Sequence, residues 1–339
     1  MANVLVTGAS GFIGPHLAEA LIGRGDRVAC MVRGRSDVKR LKALEVSFVY
    51  ADVTDPDSLG PAVAEADVVY HLAGLTKALR AAELMRINEA GVRNILTACA
   101  KRESPPVFLL VSSLAAAGPA PADRLRSEVD PPQPVSNYGR SKRAGEVVAE
   151  EFAGRMPITV VRPPIVFGEG DRELLHMVKP IARFGVHMVP GYRQRRFSLV
   201  HAGDLAALVI RAADRGARLP PPDGPKTDLG QGYYFAAADE YPTYAELGGL
   251  IAQALARKRF RAVYSPELLT WCLAGATQAV SLVRRRPGIL SLDKAREAVA
   301  GSWTCSAKRA HDDLGFRPAA PLDHQFRRTI DWYRAEGWL

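Results

Sequence analysis

The sequence predicts a doubly wound parallel α/β fold joined to a smaller, interleaved, mainly helical lobe. Short apolar runs recur through the first half with helical stretches between them. Those runs are continuously apolar rather than alternating, as in strands buried on both faces. The alternation stops after Gly168, where segments rich in Pro and Gly appear at Pro190, Gly191 and over 219–232. Right-handed crossovers between successive parallel strands then place helices on both faces of one sheet.

Taken in order, Asn3–Thr7 is a short β-branched, apolar run. Ile13, Leu17, Ala20 and Leu21 mark one face of a helix over 13–24. Further strands are expected at Arg27–Val32, Ser47–Tyr50, 67–72, 107–112 and Ile158–Arg162, with helices over 86–102 and 138–152. Strand-like pieces return at 196–200 and 233–236, and the chain from Tyr244 onward reads as mainly helical. Prolines 220, 221, 222 and 225, with Asp223 and Gly224, require an exposed loop.

The stretch 268–283 is apolar apart from Thr270, Thr277, Gln278 and Ser281. Arg257, Lys258, Arg259 and Arg261 precede it, and Arg284, Arg285 and Arg286 follow. It is shorter than the roughly 20 residues that span a bilayer. A buried helix of the second lobe is the first expectation. The second is a helix lying on a membrane surface and admitting a lipid-like substrate.

The chain has 339 residues, 47% hydrophobic and 24% charged, which suits a globular protein. Its formal net charge of +9 is concentrated in clusters, which include Arg33/Arg35/Lys39/Arg40/Lys42 and Arg193/Arg195/Arg196. Such charge favours anionic partners. Nucleic acid is not expected, because no helix-turn-helix or zinc-finger spacing occurs and aromatics do not interleave with the basic runs. Cys30, Cys99, Cys272 and Cys305 are scattered without metal-ligand spacing, so reduced thiols, no metal and a cytosolic protein are expected. The chain opens on a strand rather than on a signal peptide.

Residues 7–14, TGASGFIG, place glycines at GxxGxxG between a strand and a helix. Such a turn aims free backbone N–H groups and the positive end of the helix dipole at a pyrophosphate. Glycine lets the main chain come close. A dinucleotide-binding domain of Rossmann type is therefore expected over 1–165, with returning segments near 196–212 and 233–240. A substrate-binding lobe would be built from 166–195, 213–232 and 241–339. The second strand ends in MVRGRS, without the acidic residue that holds a ribose 2′-hydroxyl in NAD sites. Arg33 and Arg35 offer partners for a 2′-phosphate, so NADP(H) is expected over NAD(H). The alternative is a pair of solvated arginines. After the third strand, Asp52 can accept a hydrogen bond from an adenine amino group, with Val53 against the ring.

Nearly the whole chain resembles the extended short-chain dehydrogenase/reductase superfamily, also called the NAD-dependent epimerase/dehydratase family. The resemblance is carried by residues 7–14, 51–55 (ADVTD), 71–74 (HLAG), 87–94 (INEAGVRN), 111–118 (VSSLAAAG), 138–142 (YGRSK), 162–168 (RPPIVFG) and 197–206 (FSLVHAGDLA). The VR ending of the second strand and the RPPIVFG block are most similar to the branch containing 3β-hydroxysteroid dehydrogenases and dihydroflavonol reductases. The resemblance implies that Gly8, Gly11, Phe12, Ile13 and Gly14 hold the pyrophosphate and that Leu72, Ala73 and Gly74 pass under the cofactor. It further implies that Asn88 lies near the nicotinamide ribose, that Ser113 is the catalytic hydroxyl, and that Pro163 and Ile165 contact the nicotinamide side. Similar proteins form homodimers through the helices at 86–102 and 141–152.

Tyr138 and Lys142 are four residues apart and so share one helix face. A free tyrosine titrates near pH ~10, and a lysine cation close by lowers that value. Tyr138 then becomes an acid/base near neutrality. Lys142 would also hold ribose hydroxyls, while Ser113 would donate a hydrogen bond to the substrate oxygen. The expected reaction interconverts a secondary alcohol and a ketone on a fairly apolar sterol-, terpenoid- or flavonoid-like molecule. Two alternatives stay open: a nucleotide-sugar epimerase with tightly held NAD, and a non-catalytic NADP(H)-binding sensor or assembly factor. Leu114 and Ala115 stand where a 4,6-dehydratase needs acidic groups, which argues against dehydration.

Other residues carry smaller expectations. His71 reads as packed rather than catalytic, and His176, His187 and His201 have no metal spacing. His187 falls in a segment expected near the substrate pocket. Asp204 should begin a helix and tie loops together. Arg193, Arg195 and Arg196 could meet a substrate phosphate or be plain surface.

Overall fold

A computed structural model describes residues 1–224, 228–284, 286, 288 and 291–339. Pro225 of the expected proline loop and Arg285 of the last basic cluster lie outside the described residues. In chain order the strands are β1 (Asn3–Thr7), β2 (Arg27–Val32), β3 (Ser47–Tyr50), β4 (Val68–His71), β5 (Val107–Val111) and β6 (Ile158–Arg162). They continue with β7 (Ile165–Phe167), β8 (Val186–Pro190), β9 (Leu199–His201), β10 (Tyr233–Phe235) and β11 (Arg261–Ser265).

Seven strands form one parallel sheet in the order β10-β6-β5-β4-β1-β2-β3. The order reverses at β1, which pairs Val4 with Val28 of β2 on one side and with Val68 of β4 on the other. A crevice opens at the carboxyl ends of strands where such a sheet changes direction. Side chains alternate across the sheet: Val4 and Val6 join one core with Leu17, Leu21, Leu205 and Val209. Leu5 joins the other, with Ile95, Leu96, Val148 and Phe152. Outside this sheet, β7 pairs with β9 and β8 with β11, both parallel.

Two sequence expectations need correction. The helix over 86–102 is two helices, Ala81–Asn88 and Ala90–Ala100. Glu89, at φ −107° and ψ −65°, separates them, and the buried Asn88 side chain beside the break makes tertiary hydrogen bonds. Gly145 packs so closely there that a Cβ would lie 2.2 Å from the Asn88 carbonyl oxygen. The region after Tyr244 is mainly helical as expected, with the short strand β11 within it.

The second correction concerns 268–283. The helix Glu267–Arg284 buries Thr270, Ala274 and Ser281 and turns its large apolar residues outward. Leu268 is 72% exposed and Val283 85%, and Leu269, Leu273, Val280 and Leu282 are exposed as well. It is not the buried helix expected. Its small and polar residues share the face that meets the helix Leu292–Val299, and Gln278 Oε1 accepts from the Leu292 N–H at 3.0 Å. Among the described residues, no helix is long and apolar enough to cross a membrane.

Asp204 lies in the first turn of the helix Ala202–Arg215. It accepts from the Ala319 N–H at 3.0 Å and from Gln325 Nε2 at 2.5 Å, tying two distant segments together as expected. All four cysteines are unpaired, with Cys30, Cys99 and Cys305 buried and Cys272 exposed.

Candidate functional site

The site begins where β1 runs into the glycine loop. Gly8 has φ +67°, and a Cβ there would stand 2.6 Å from the Ala73 nitrogen, because the chain leaving β4 passes directly against it. A Cβ on Gly14 would stand 2.1 Å from the Ala9 carbonyl oxygen. The Gly11 N–H closes the turn on the Gly8 carbonyl at 2.9 Å. No side chain caps the helix Ile13–Gly23 at Phe12, so its first N–H groups have no side-chain acceptor of that kind. The loop is a bare main-chain cradle at a helix N-terminus, a form that fits a pyrophosphate.

Beneath the cradle, Thr7 Oγ1 bonds His71 Nδ1 at 2.9 Å and accepts from the Ala73 N–H at 3.2 Å. Burial and the nearby Lys142 charge push His71 down to about 3, so it stays neutral. It stacks on Phe108 at 5.6 Å and is packed rather than catalytic.

The carboxyl ends of β5 and β6 and the helix Asn137–Phe152 deliver the polar groups. Ser113 caps the short helix Leu114–Ala117, accepting from the Ala115 N–H at 3.1 Å. Its hydroxyl also lies close enough to the Tyr138 phenol to lower that group's pKa. Burial holds Tyr138 above its ordinary pKa, against the opposing effects of the Ser113 bond and the Lys294 charge. Lys142 lies one turn along and donates from Nζ to the Val111 carbonyl at 2.8 Å. Burial lowers it to about 8. The cation found over the Tyr138 ring, 5.3 Å from its centroid, is therefore not Lys142 but Lys294.

Behind these groups, Glu146 is fully buried. Arg162 donates to it from Nε at 2.8 Å and from a terminal nitrogen at 2.7 Å, and Ser112 donates at 2.5 Å. Arg162 also lies over the Tyr233 ring at 4.2 Å. Asn88 is buried as a brace: its amide donates to the Leu75 carbonyl at 2.9 Å and to Ser141 Oγ at 2.8 Å, and it accepts from the Leu75 N–H at 2.8 Å.

A cleft of about 1190 Å³ gathers most of the sequence-selected residues. Gly8, Gly11, Phe12, Ile13, Gly14, Leu72, Gly74, Ser113, Tyr138, Lys142, Pro163 and Ile165 all line it. Arg33, Arg35, Asp52, Val53 and Ala73 lie beyond its lining. Arg33 and Arg35 are exposed, and Arg33 sits 4.0 Å from the Asp52 carboxylate. Asp52 also accepts from the Thr54 N–H at 2.9 Å. The Val53 side chain is buried against Gly91, so the part of Val53 left for an adenine ring is its main chain. His187 is buried against Gly248 and bonds the Tyr244 carbonyl at 3.0 Å, away from the cleft lining. Arg195 is buried in an ion pair with Glu267, and Arg196 donates to the Tyr241 carbonyl at 2.8 Å.

Sequence reading missed Arg40, Lys294, Glu297 and Trp303, which also line the cleft. Arg40 was seen only as one member of a basic run. The signal for Lys294 was the capped segment SLDKAREAV, in which Ser291 Oγ accepts from the Lys294 N–H at 3.2 Å.

Comparison with known proteins accords with this geometry. The model of the NAD-dependent epimerase/dehydratase family matches residues 4–224. A ceramide reductase of Caulobacter vibrioides is 33% identical over 99% of this chain and 96% of its own. Sterol demethylase protein B of Methylococcus capsulatus is 30% identical over 99% of this chain and 100% of its own. Among solved structures, the UDP-glucose 4-epimerase of Thermus thermophilus in complex with NAD superposes with a TM-score of 0.75. It is 21% identical, with 98% and 99% of the two chains covered, and this likeness speaks to the fold.

Proposed function

The chain belongs to the NAD-dependent epimerase/dehydratase family, and from that premise we propose that it interconverts a secondary alcohol and a ketone on an apolar, sterol- or ceramide-like molecule, using NADP(H). One observation carries the reading: the Ser113–Tyr138 pair opens into the same cleft as the bare glycine cradle. The names of the two relatives support the lipid class. The basic end of β2, with Arg33 and Arg35 and no acidic residue beside them, supports NADP(H) over NAD(H).

A nicotinamide dinucleotide on the cradle would be held by Gly8, Gly11, Phe12, Ile13 and Gly14, with Lys142 reaching its ribose. It would supply or accept the hydride. The protein's own part is the proton. Tyr138 Oη gives it to the substrate oxygen during reduction and withdraws it during oxidation. Ser113 hydrogen-bonds that same oxygen and polarises it. Lys142 and Asn88 hold the surrounding loops in place.

Lipid access is part of this reading. The outward apolar face of Glu267–Arg284 is flanked in sequence by exposed Arg257, Lys258, Arg259, Arg261, Arg284 and Arg286. This charge complements an anionic bilayer surface. A homodimer through the helices at 86–102 and 141–152, as in similar proteins, also belongs to it.

The test follows NADPH consumption with three probes: a ceramide oxidised to the ketone, a ketosteroid and UDP-glucose. Turnover is expected with a lipid ketone. Tyr138→Phe should lower it by about 10²- to 10⁴-fold, the usual worth of a positioned acid/base, while NADPH still binds. Full turnover by Tyr138→Phe would remove the assignment. Conversion of UDP-glucose without net cofactor use, and no reaction with the lipid ketones, would favour the epimerase alternative.

A further inference from the structure

The helix Leu292–Val299 comes from the far end of the chain and is clasped to the start of the catalytic helix. Asp293 accepts from the Asn137 N–H at 2.7 Å and from the Tyr138 N–H at 3.2 Å. Glu297 accepts from the hydroxyl of Ser136 at 2.6 Å, and Ser136 in turn caps the catalytic helix by accepting from the Gly139 N–H at 2.9 Å. This clasp fixes Lys294, whose Nζ lies 5.3 Å from the centre of the Tyr138 ring and 2.7 Å from a Glu297 oxygen. Lys294 lines both the main cleft and a neighbouring cavity of about 220 Å³.

We propose that Lys294 is a positioning residue that supplies a second positive charge tuning Tyr138, in addition to that of Lys142. The inference rests on Tyr138 being the acid/base. A cation over a phenol ring favours the phenolate. Lys142 donates one hydrogen bond to the Val111 carbonyl and keeps two donors, and Lys294 is the cation that lies over the ring itself. The groups around the phenol can be named element by element. Ser113, after β5, contributes a neutral hydrogen bond. Lys142 stands on the same helix as Tyr138. Asp293, Lys294 and Glu297 come from the clasped helix. Lys294 favours the phenolate and Glu297 opposes it, with the lysine effect the larger.

Because Ser136, Asn137 and Tyr138 are all held by this helix, the second lobe reaches the chemistry through one charge and three hydrogen bonds. The adjoining helix Glu267–Arg284 packs on the same segment through Gln278.

The test uses the full chain. The ultraviolet tyrosinate titration of the wild type, less that of Tyr138→Phe, reads the phenol without any substrate. Lys294→Gln should move the midpoint to higher pH by about 1 pH unit and slow alcohol oxidation at neutral pH about tenfold. Lys294→Arg should restore both, and Glu297→Gln should move the midpoint to lower pH. An unmoved midpoint in Lys294→Gln overturns the inference, as does equal loss of activity in the Gln and Arg variants with no change in pH profile. If Tyr138→Phe is inactive and Lys294→Gln does not move the midpoint, only this inference fails. If Tyr138→Phe is fully active, the acid/base reading beneath it fails instead.

Discussion

Two long helices invert the usual rule of burial. Asn137–Phe152, NYGRSKRAGEVVAEEF, is largely polar, yet it buries Ser141, Lys142 and Glu146. Glu267–Arg284, ELLTWCLAGATQAVSLVR, is largely apolar, yet its buried residues are Thr270, Ala274 and Ser281. The difference lies in what neighbouring elements provide. β5 and β6 bring Val111, Ser112 and Arg162 to the first helix, so each buried polar group finds a partner, as it must. The second helix buries small and polar residues, and its leucines are left exposed. A buried polar residue or a broad exposed apolar face carries more information than an exposed leucine standing alone.

The sharpest way to break the comparison is to remove what makes the first helix tolerable. Glu146→Gln leaves Arg162 buried beside a neutral partner. Breaking a buried pair from one side typically costs about 3–5 kcal/mol, and a thermal melt should fall accordingly. Arg162 holds the Glu146 carboxyl below its ordinary range despite the burial that opposes it. Folding gains from this pair above the unfolded carboxylate pKa and loses that gain as pH falls through the lower folded value. The wild type should therefore show acid-dependent destabilisation that Glu146→Gln lacks. A variant melting like wild type would mean that the polar burial contributes nothing.

Asp171 sharpens the contrast, because it is a buried acid without a cation. It caps the helix Arg172–Phe184, accepting from the Glu173 N–H at 2.8 Å. Burial pushes it up to about 6 from an ordinary 3.8. An acid raised in the folded state binds its proton more readily there. Its contribution therefore favours folding at low pH and declines as pH rises from about 4 to about 6. Asn caps as well as Asp. Asp171→Asn should therefore gain roughly 1–3 kcal/mol above pH 6, at ~1.4 kcal/mol per pH unit, with no gain at pH 4. Melts of both forms at the two pH values decide it, and an equal change at both would refute the assignment.

Legibility in the sequence followed the same division. The sheet could be read because β1, β2, β3 and β6 are short apolar runs whose ends are set locally, and the cradle because Gly8 and Gly14 answer to backbone geometry within one turn and the next strand. Tyr138 could be read from its spacing to Lys142, and Ser113 from the family resemblance. Lys294 could not, because a lysine on a short capped helix looks like solvated surface until residues about 155 apart in sequence are brought together. The inversion of Glu267–Arg284 was hidden for a related reason. Apolar content signals that a helix has an apolar face, but only its neighbours determine where that face points.

The smallest effect on stability should come from the outward face itself, and there the comparison can be broken cleanly. Leu282→Ser with Val283→Ser changes two exposed side chains. Substitutions at such positions usually stay within about 0.5 kcal/mol in stability. If the face enters an anionic bilayer, however, each side chain is worth about 1.5–3 kcal/mol of partitioning. Binding to phosphatidylglycerol vesicles should then fall at least about tenfold, while phosphatidylcholine vesicles bind weakly in both forms. Cys272 is exposed on this helix and the other three cysteines are buried. A single environment-sensitive label at that thiol would report docking directly. Unchanged vesicle binding, with a label that stays in water, would assign the apolar face to something other than a membrane and leave the polar helix as the one inversion tied to chemistry.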